Sequence, residues 1–314
     1  MTIPIATHPE TGDRKLVAVR DAIRELDPAG EKFASCLRNT IDQLLDGAHT
    51  GRYRWDQLRK TEKTHAGTLV EINLQRDFKF ADGVQMDYSI AGADVDCKYS
   101  QNNFEWMIPP EAWHGKHLCL LVWADDERSQ WTAGLLRADE THLSRAENRD
   151  QKRRLNQAGR KAIVPIWDRL MSLPENVLLH LPPNVLATIF GPAHGTQRVD
   201  ELFRLVQGRI IGRAVVATVG QQVDYMKRVR YNGGSRSHLQ AEGIIVCGHQ
   251  ATHGAIARGL GLPVPRLGEF VSCRVSLAKV DSSRPSVPIG GRLWVRASPG
   301  DAVVRAPVVP EAAN

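Results

Sequence analysis

The run Leu118-Cys119-Leu120-Leu121-Val122-Trp123-Ala124, entered through His117, restricts this chain more than any other stretch. It is continuously apolar, too short to span a bilayer, and leaves neither face of a strand for water, as in a buried central strand. Such a strand needs cover on both sides, and helical patterns supply it. Leu16, Val19, Ile23 and Leu26 recur at helical spacing, and Leu37, Ile41, Leu44 and Leu45 do so again after the break Asp27-Pro28-Ala29-Gly30. Thr64 to Phe80 reads as a further helix with Leu69, Ile72 and Phe80 on its apolar side, and Trp131 to Ala138 as another strand. Helices, a hairpin and buried strands in this order specify an α/β core.

The hairpin lies just before the buried strand, in Met86-Asp87-Tyr88-Ser89-Ile90-Ala91-Gly92-Ala93-Asp94-Val95-Asp96-Cys97-Lys98-Tyr99. Residues i and i+2 of a strand face the same way, so Asp96 and Lys98 share a face that Asp94 extends. A turn at Ala91-Gly92 brings Asp87 back toward Asp96, close enough for one divalent ion to bridge them. Mg²⁺ is a hard ion that takes oxygen ligands and keeps several waters, so two carboxylates suffice to hold it. It stabilises charge on a phosphate and acidifies a bound water, which a neighbouring lysine can orient or deprotonate. The same residues also fit an ordinary surface hairpin with an Asp–Lys pair, since Asp-x-Lys is a common tripeptide. Glu71, set among Leu69, Val70, Ile72 and Leu74, is either a third carboxylate of the site or an exposed helix glutamate.

The rest of the 314 residues has room for a second domain. Prolines and glycines punctuate 174–195, and the composition changes just before, which places a first domain at 1–163, a linker at 164–173 and a second domain at 174–314. The net charge of +6 fits a polyanionic partner without requiring one, and the surplus gathers at 145–161 and 198–236. In the second cluster Ile210 to Val219, the turn Gly220-Gln221-Gln222 and a segment ending Met226-Lys227-Arg228-Val229-Arg230 read as a helix-turn-helix or as an αα-hairpin with a solvated basic face. Arg198, Arg209, Arg213, Lys227, Arg228, Arg230 and Arg236 are its candidate DNA-binding residues. From Gly233 onward short strands are expected at 243–247, 270–275 and 292–295, followed by a poorly ordered tail from Ala306.

Other classes find little support. Cys247-Gly248-His249 with His253 lacks the second cysteine pair of a zinc site, and Gly259-Leu260-Gly261 does not open a helix. The five cysteines are scattered and never form a CxxC pair, which indicates free thiols and a reducing cytoplasm. No signal peptide or membrane span is read, so the protein is expected to be soluble and cytoplasmic.

The segments Leu58-Arg59-Lys60-Thr61-Glu62-Lys63-Thr64-His65-Ala66-Gly67-Thr68-Leu69-Val70-Glu71 and Val95-Asp96-Cys97-Lys98 resemble the NaeI-type (type IIE) restriction endonucleases. So do Glu201-Leu202-Phe203-Arg204, Gly212-Arg213-Ala214-Val215, Met226 to Arg230, Glu242-Gly243-Ile244-Ile245 and Gly248-His249-Gln250. The resemblance runs from about residue 14 to 310. It implies a PD-(D/E)xK-type endonuclease core followed by a CAP-like winged helix-turn-helix domain. It also implies a homodimer, Mg²⁺ as cofactor, no nucleotide cofactor and no membrane. The implied substrate is a short palindrome in double-stranded DNA, with a second DNA site bound as effector. The family's catalytic positions fall on Glu71, Asp87, Asp96 and Lys98, with Asp87, Asp96 and Glu71 as metal ligands. Met86 stands where the motif name has proline, a position that ligates nothing. If specificity follows the family's type member, the site is GCCGGC. Leu44-Leu45-Asp46-Gly47 resembles a ligase Lys-x-Asp-Gly motif with leucine in place of the nucleotidyl lysine, which implies no strand joining. Two rival readings stand beside this one: a structure-specific repair nuclease on the same core, and a transcriptional regulator that binds DNA without cutting it.

Overall fold

Asp13 opens the first helix by accepting the Leu16 N–H at 3.0 Å, and Arg137 from the sheet grips the same carboxylate at 2.7 and 2.9 Å. The computed structural model describes residues 12–101, 105–167, 170–222, 224–279 and 283–310. The chain divides into two compact units, Met1–Leu44 with Leu58–Pro174, and Leu45–Gln57 with Glu175–Asn314.

In the first unit the periodic apolar residues form the helices Arg14–Leu26 and Glu31–Leu45. Asp27 ends the one and starts the other, its carboxylate accepting the Phe33 N–H at 2.8 Å. Gly30 sits at φ 72°, with Trp131 and Met171 about where a β-carbon would need space, so this turn is closed to other residues. The helix expected at 64–80 runs Lys60–Phe78, one turn earlier, because Glu62 accepts the Arg59 N–H at 2.8 Å and caps it. Its buried face is Ala66, Val70, Asn73, Leu74 and Phe78. Ile72, expected on the apolar side, is 48% exposed because it sits two residues from both Val70 and Leu74, on the opposite flank.

These helices accompany a mixed sheet ordered Ala81–Asp82, Tyr88–Ile90, Ala93–Ser100, Leu118–Asp125, Gln130–Arg137 and Met171–Ser172. Leu118–Asp125 is the predicted central strand, buried from Leu118 through Ala124. It runs parallel to Ala93–Ser100 and antiparallel to Gln130–Arg137. Phe33 stacks on Trp131 at 4.9 Å and meets Phe78 and Trp167 edge-on. Val164–Pro165 and Met171–Ser172 both pair with Gln130–Arg137, so the segment read as a linker supplies sheet strands. A small sheet of Met107–Ile108, Leu143–Glu147 and Arg153–Leu155 carries the first basic cluster. Trp106 is buried against Trp123, Cys119 and Leu143, and Trp113 packs partly buried on the same cluster.

The second unit packs the helices Gly195–Leu205 and Arg213–Gly220 around Val199, Phe203, Val216 and Val219. The segment expected as the second helix of a helix-turn-helix is a single 3-10 turn, Tyr225–Val229. Tyr225, Met226 and Val229 pack on the core, and the Arg230 N–H, donating to the Lys227 carbonyl at 3.3 Å, closes the element. The predicted strands are Ile244–Cys247, Glu269–Leu277 and Arg292–Arg296. Helix Ala251–Gly259 was not foreseen, since only Ile256 and Ala257 mark its apolar side. The tail departs from expectation: Ala306 and Val309 are 4% and 0% exposed in a core with Trp294 and Leu260, and the Val309 N–H donates to the Tyr231 hydroxyl at 2.5 Å.

Candidate active site

Strand register assembles the site. Tyr88 pairs with Val95 and Ile90 with Ala93, across a turn in which Ala91 and Gly92 take φ 51° and 70°. Continuing that register one step places Asp87 opposite Asp96. There Asp87 accepts the Cys97 backbone N–H at 2.6 Å. In the neighbouring parallel strand Cys119 lies beside Asp96, and its thiol donates to Asp96 Oδ2 at 3.7 Å. The other carboxylate oxygen of Asp96 pairs with Lys98 Nζ, which also donates to the Cys97 carbonyl at 3.0 Å. Tyr88, fully buried, donates its hydroxyl to the Glu71 carbonyl at 2.8 Å and so ties the helix Lys60–Phe78 to the hairpin.

The four residues singled out from sequence therefore gather in one neighbourhood. Asp96 is 5% exposed, Lys98 partly buried and Glu71 half-buried. Burial, then the charge of Asp87, holds the Glu71 carboxyl above its ordinary range, with Lys98 opposing and Asp96 adding to the rise. Burial likewise raises Asp96, against the pull of Lys98. Burial pulls Lys98 downward, but Asp96 and Asp87 outweigh it and keep the ammonium charged. Three carboxylates face one lysine, an excess of negative charge in poorly solvated surroundings that a cation would relieve. Among the described residues no group of three or more His, Cys, Asp or Glu side chains is arranged to hold a metal ion as it stands, and Asp96 is paired with Lys98. The donor set is nevertheless hard oxygen, suited to Mg²⁺. Asp94, on the same face, is engaged elsewhere: its oxygens accept the Val84 and Gln85 N–H groups at 2.9 and 3.1 Å. Sequence reasoning passed over Tyr88 and Cys119. Tyr88 follows Asp87 directly, but Cys119 is brought in only by the parallel pairing.

The candidate DNA-binding residues of the second unit separate into two groups. Arg213, Lys227 and Arg230 are exposed, Lys227 with Asp224 at 2.9 Å. Arg198 donates to the Val219 and Gly220 carbonyls at 2.7 and 3.0 Å, closing the end of helix Arg213–Gly220. Arg209 pairs with Glu175 at 2.7 Å, and Arg228 donates to Gln222 at 2.5 Å. Arg236 leaves the set: it is 5% exposed and donates to the Val246 carbonyl at 3.1 Å, beside His253. A basic run suggests a surface residue, whereas the Arg236 guanidinium satisfies core backbone.

Residues 17–305 match the family described as Restriction endonuclease NaeI. The chain is also 52% identical over 304 residues, 95% of each protein, to the Type II restriction enzyme NaeI of Lentzea aerocolonigenes.

Proposed function

Because the chain belongs to the NaeI family of restriction endonucleases and is thus a type II site-specific deoxyribonuclease, we propose that Glu71, Asp87, Asp96 and Lys98 carry its Mg²⁺-dependent hydrolysis of duplex DNA. The observation that supports this assignment is the Asp96–Lys98 pair facing Asp87, with Glu71 coupled to all three. Asp87, Asp96 and Glu71 would hold the ion, which supplies charge stabilisation at the phosphate and a more acidic water. Lys98 then acts as a cation: released from Asp96, its ammonium donates to the attacking water or a phosphate oxygen and orients it. The Cys97 N–H keeps Asp87 turned into the site, and the Cys119 thiol does the same for Asp96.

In this reading the first unit is a PD-(D/E)xK-type endonuclease, and the second a CAP-like DNA-binding module, with the 3-10 turn Tyr225–Val229 standing where a second helix was expected, that binds a second DNA site through Arg213, Lys227 and Arg230. The protein works as a homodimer in the cytoplasm, since a two-fold dimer reads a two-fold site. The site is GCCGGC if specificity follows the relative. Among the described residues no helix is long and apolar enough to cross a membrane. Digestion of a plasmid carrying several GCCGGC sites, with Mg²⁺ and with Lys98→Ala in parallel, tests the proposal. Discrete fragments from the parent alone support the assignment. Fragments mapping elsewhere discard the inherited sequence, and cleavage by the variant at the parent rate discards the role of Lys98.

A further inference from the structure

One exposed element beside the site has no part in the chemistry above. The loop Gly83–Asp87 connects strands Ala81–Asp82 and Tyr88–Ile90 and ends in the candidate metal ligand Asp87. It is fixed along its length. The Gly83 N–H donates to the Asp87 carbonyl at 3.4 Å, and a β-carbon at Gly83 would collide with the Met86 carbonyl. The Asp94 carboxylate accepts both the Val84 and Gln85 amides. Gln75 Nε2 donates to Asp82 at 2.7 Å at the foot of the loop, and Met86 packs against the cluster that contains Cys119 and Trp123.

Two side chains point away from all this anchoring. Val84 is 91% exposed and Gln85 is exposed. An apolar side chain held open to water on a clamped loop has no packing role to explain it. Residues 83–86 carry no acidic group, and the Asp94 carboxylate is turned onto two loop amides, so no acidic side chain projects from the tip of the loop. Val84 and Gln85 lie three and two residues from Asp87, so the chain holds both within about 10 Å of that carboxylate. A glutamine amide both donates and accepts, matching base edges in a groove, while valine offers an apolar contact.

We propose that the loop Gly83–Met86 is a sequence-reading element: Val84 and Gln85 enter the DNA groove beside the scissile phosphate, Gln85 hydrogen-bonds a base, and Asp94 holds the loop in position to do so. This rests on the nuclease reading of Asp87 and Asp96. Asp94 is then a positioning residue, on the catalytic face but directed at recognition.

The test uses the full-length protein and the duplex that the parent is first shown to cut, together with every single-base-pair variant of that duplex. Val84→Ala, Gln85→Ala and Asp94→Ala are compared with the parent for kcat/KM on each, after thermal melts confirm folding. The expected result is that Gln85→Ala loses about tenfold or more of the discrimination at one base-pair position. Asp94→Ala should relax the same position with Val84 and Gln85 both present, which a merely structural role would not produce. Parent-like discrimination by Gln85→Ala overturns the proposal, and so does an equal fall in kcat/KM on every duplex, which would place the contact on the backbone. A parent that cuts no duplex refutes the nuclease reading instead, so the two failures are distinct.

Discussion

The Asp96–Lys98 pair allows a stability prediction that bears on the mechanism. Asp96 has 7% of its side-chain surface exposed and Lys98 23%, and the two are in contact. At about 3 Å and an effective dielectric near 20, their gross attraction is about 5 kcal/mol, most of which offsets desolvation. Lys98→Met removes the cation and leaves a buried carboxylate with only the weak Cys119 thiol, at a cost of about 3 kcal/mol. Asp96→Asn strands an ammonium that is still partly solvated, at about 1–2 kcal/mol. The double variant leaves neither charge stranded, so its loss falls short of the sum by about 1–3 kcal/mol. Urea denaturation of the parent, both single variants and the double variant measures the cycle without DNA or metal, while all three variants should cleave at least about a hundredfold more slowly than the parent. Stability losses that add to within about 0.5 kcal/mol would refute the claim that Lys98 compensates Asp96 in the resting site.

Three further outcomes are expected. His253 is fully buried, its Nδ1 accepts the Gly248 N–H at 2.9 Å, and burial and Arg236 lower its pKa from 6.5 to about 4; the unfolded chain therefore binds the extra proton first, and stability present above pH 6.5 is lost as pH falls toward 4. Between pH 7 and 5 that loss is about 1–2 kcal/mol, discounted at the lower end for screening; it should be absent from His253→Gln and appear as the pH-dependent difference between parent and variant melts. Trp131→Ala removes a fully buried ring stacked on Phe33 and should cost about 3–5 kcal/mol in denaturant titrations of the first unit. Replacing Arg213, Lys227 and Arg230 together by alanine should weaken duplex binding by the second unit and make the slope of log K against log salt shallower by about 3, read by fluorescence anisotropy, with no such change if these residues face away from DNA.

The parts of this fold that were legible in the sequence are those with a local signature. Leu118–Ala124 declares a buried strand by being apolar throughout, and Gly92 marks a tight turn because glycine takes positive φ without cost, Ala91 being drawn into the same region beside it. The helices around Leu16 to Leu45 follow from spacing alone. What was not legible depends on distant partners. Ala306 and Val309 look like tail residues until Trp294 and Tyr231 are folded beside them. Arg236 looks like part of a basic face until the Val246 carbonyl is seen to need a donor. Val164–Pro165 and Met171–Ser172 are too short to carry a strand pattern, and only pairing with Gln130–Arg137 defines them. For the site, the alternation of Asp94, Asp96 and Lys98 was readable, whereas the division of labour within it was not. Asp94 serves a loop while Asp96 and Lys98 face each other, and nothing in the spacing distinguishes them.

That division also explains why the site tolerates so little change in register. Asp87 is held by the backbone N–H of Cys97, not by a side chain, so its position depends on the alignment of Tyr88–Ile90 with Ala93–Ser100. The Cys97 side chain itself is buried, on the face opposite to Asp96 and Lys98. A one-residue slip would send Asp96 and Lys98 into the core and turn Cys97 outward. Two constraints oppose the slip: Tyr88 is fixed to the Glu71 carbonyl on one side, and the strand Ala93–Ser100 is locked to Leu118–Asp125 on the other. The apolar run that most restricts the fold is thus also what sets the site, since the pairing of Leu118–Asp125 with Ala93–Ser100 fixes the register in which Asp96 and Lys98 share a face with Asp87 opposite Asp96.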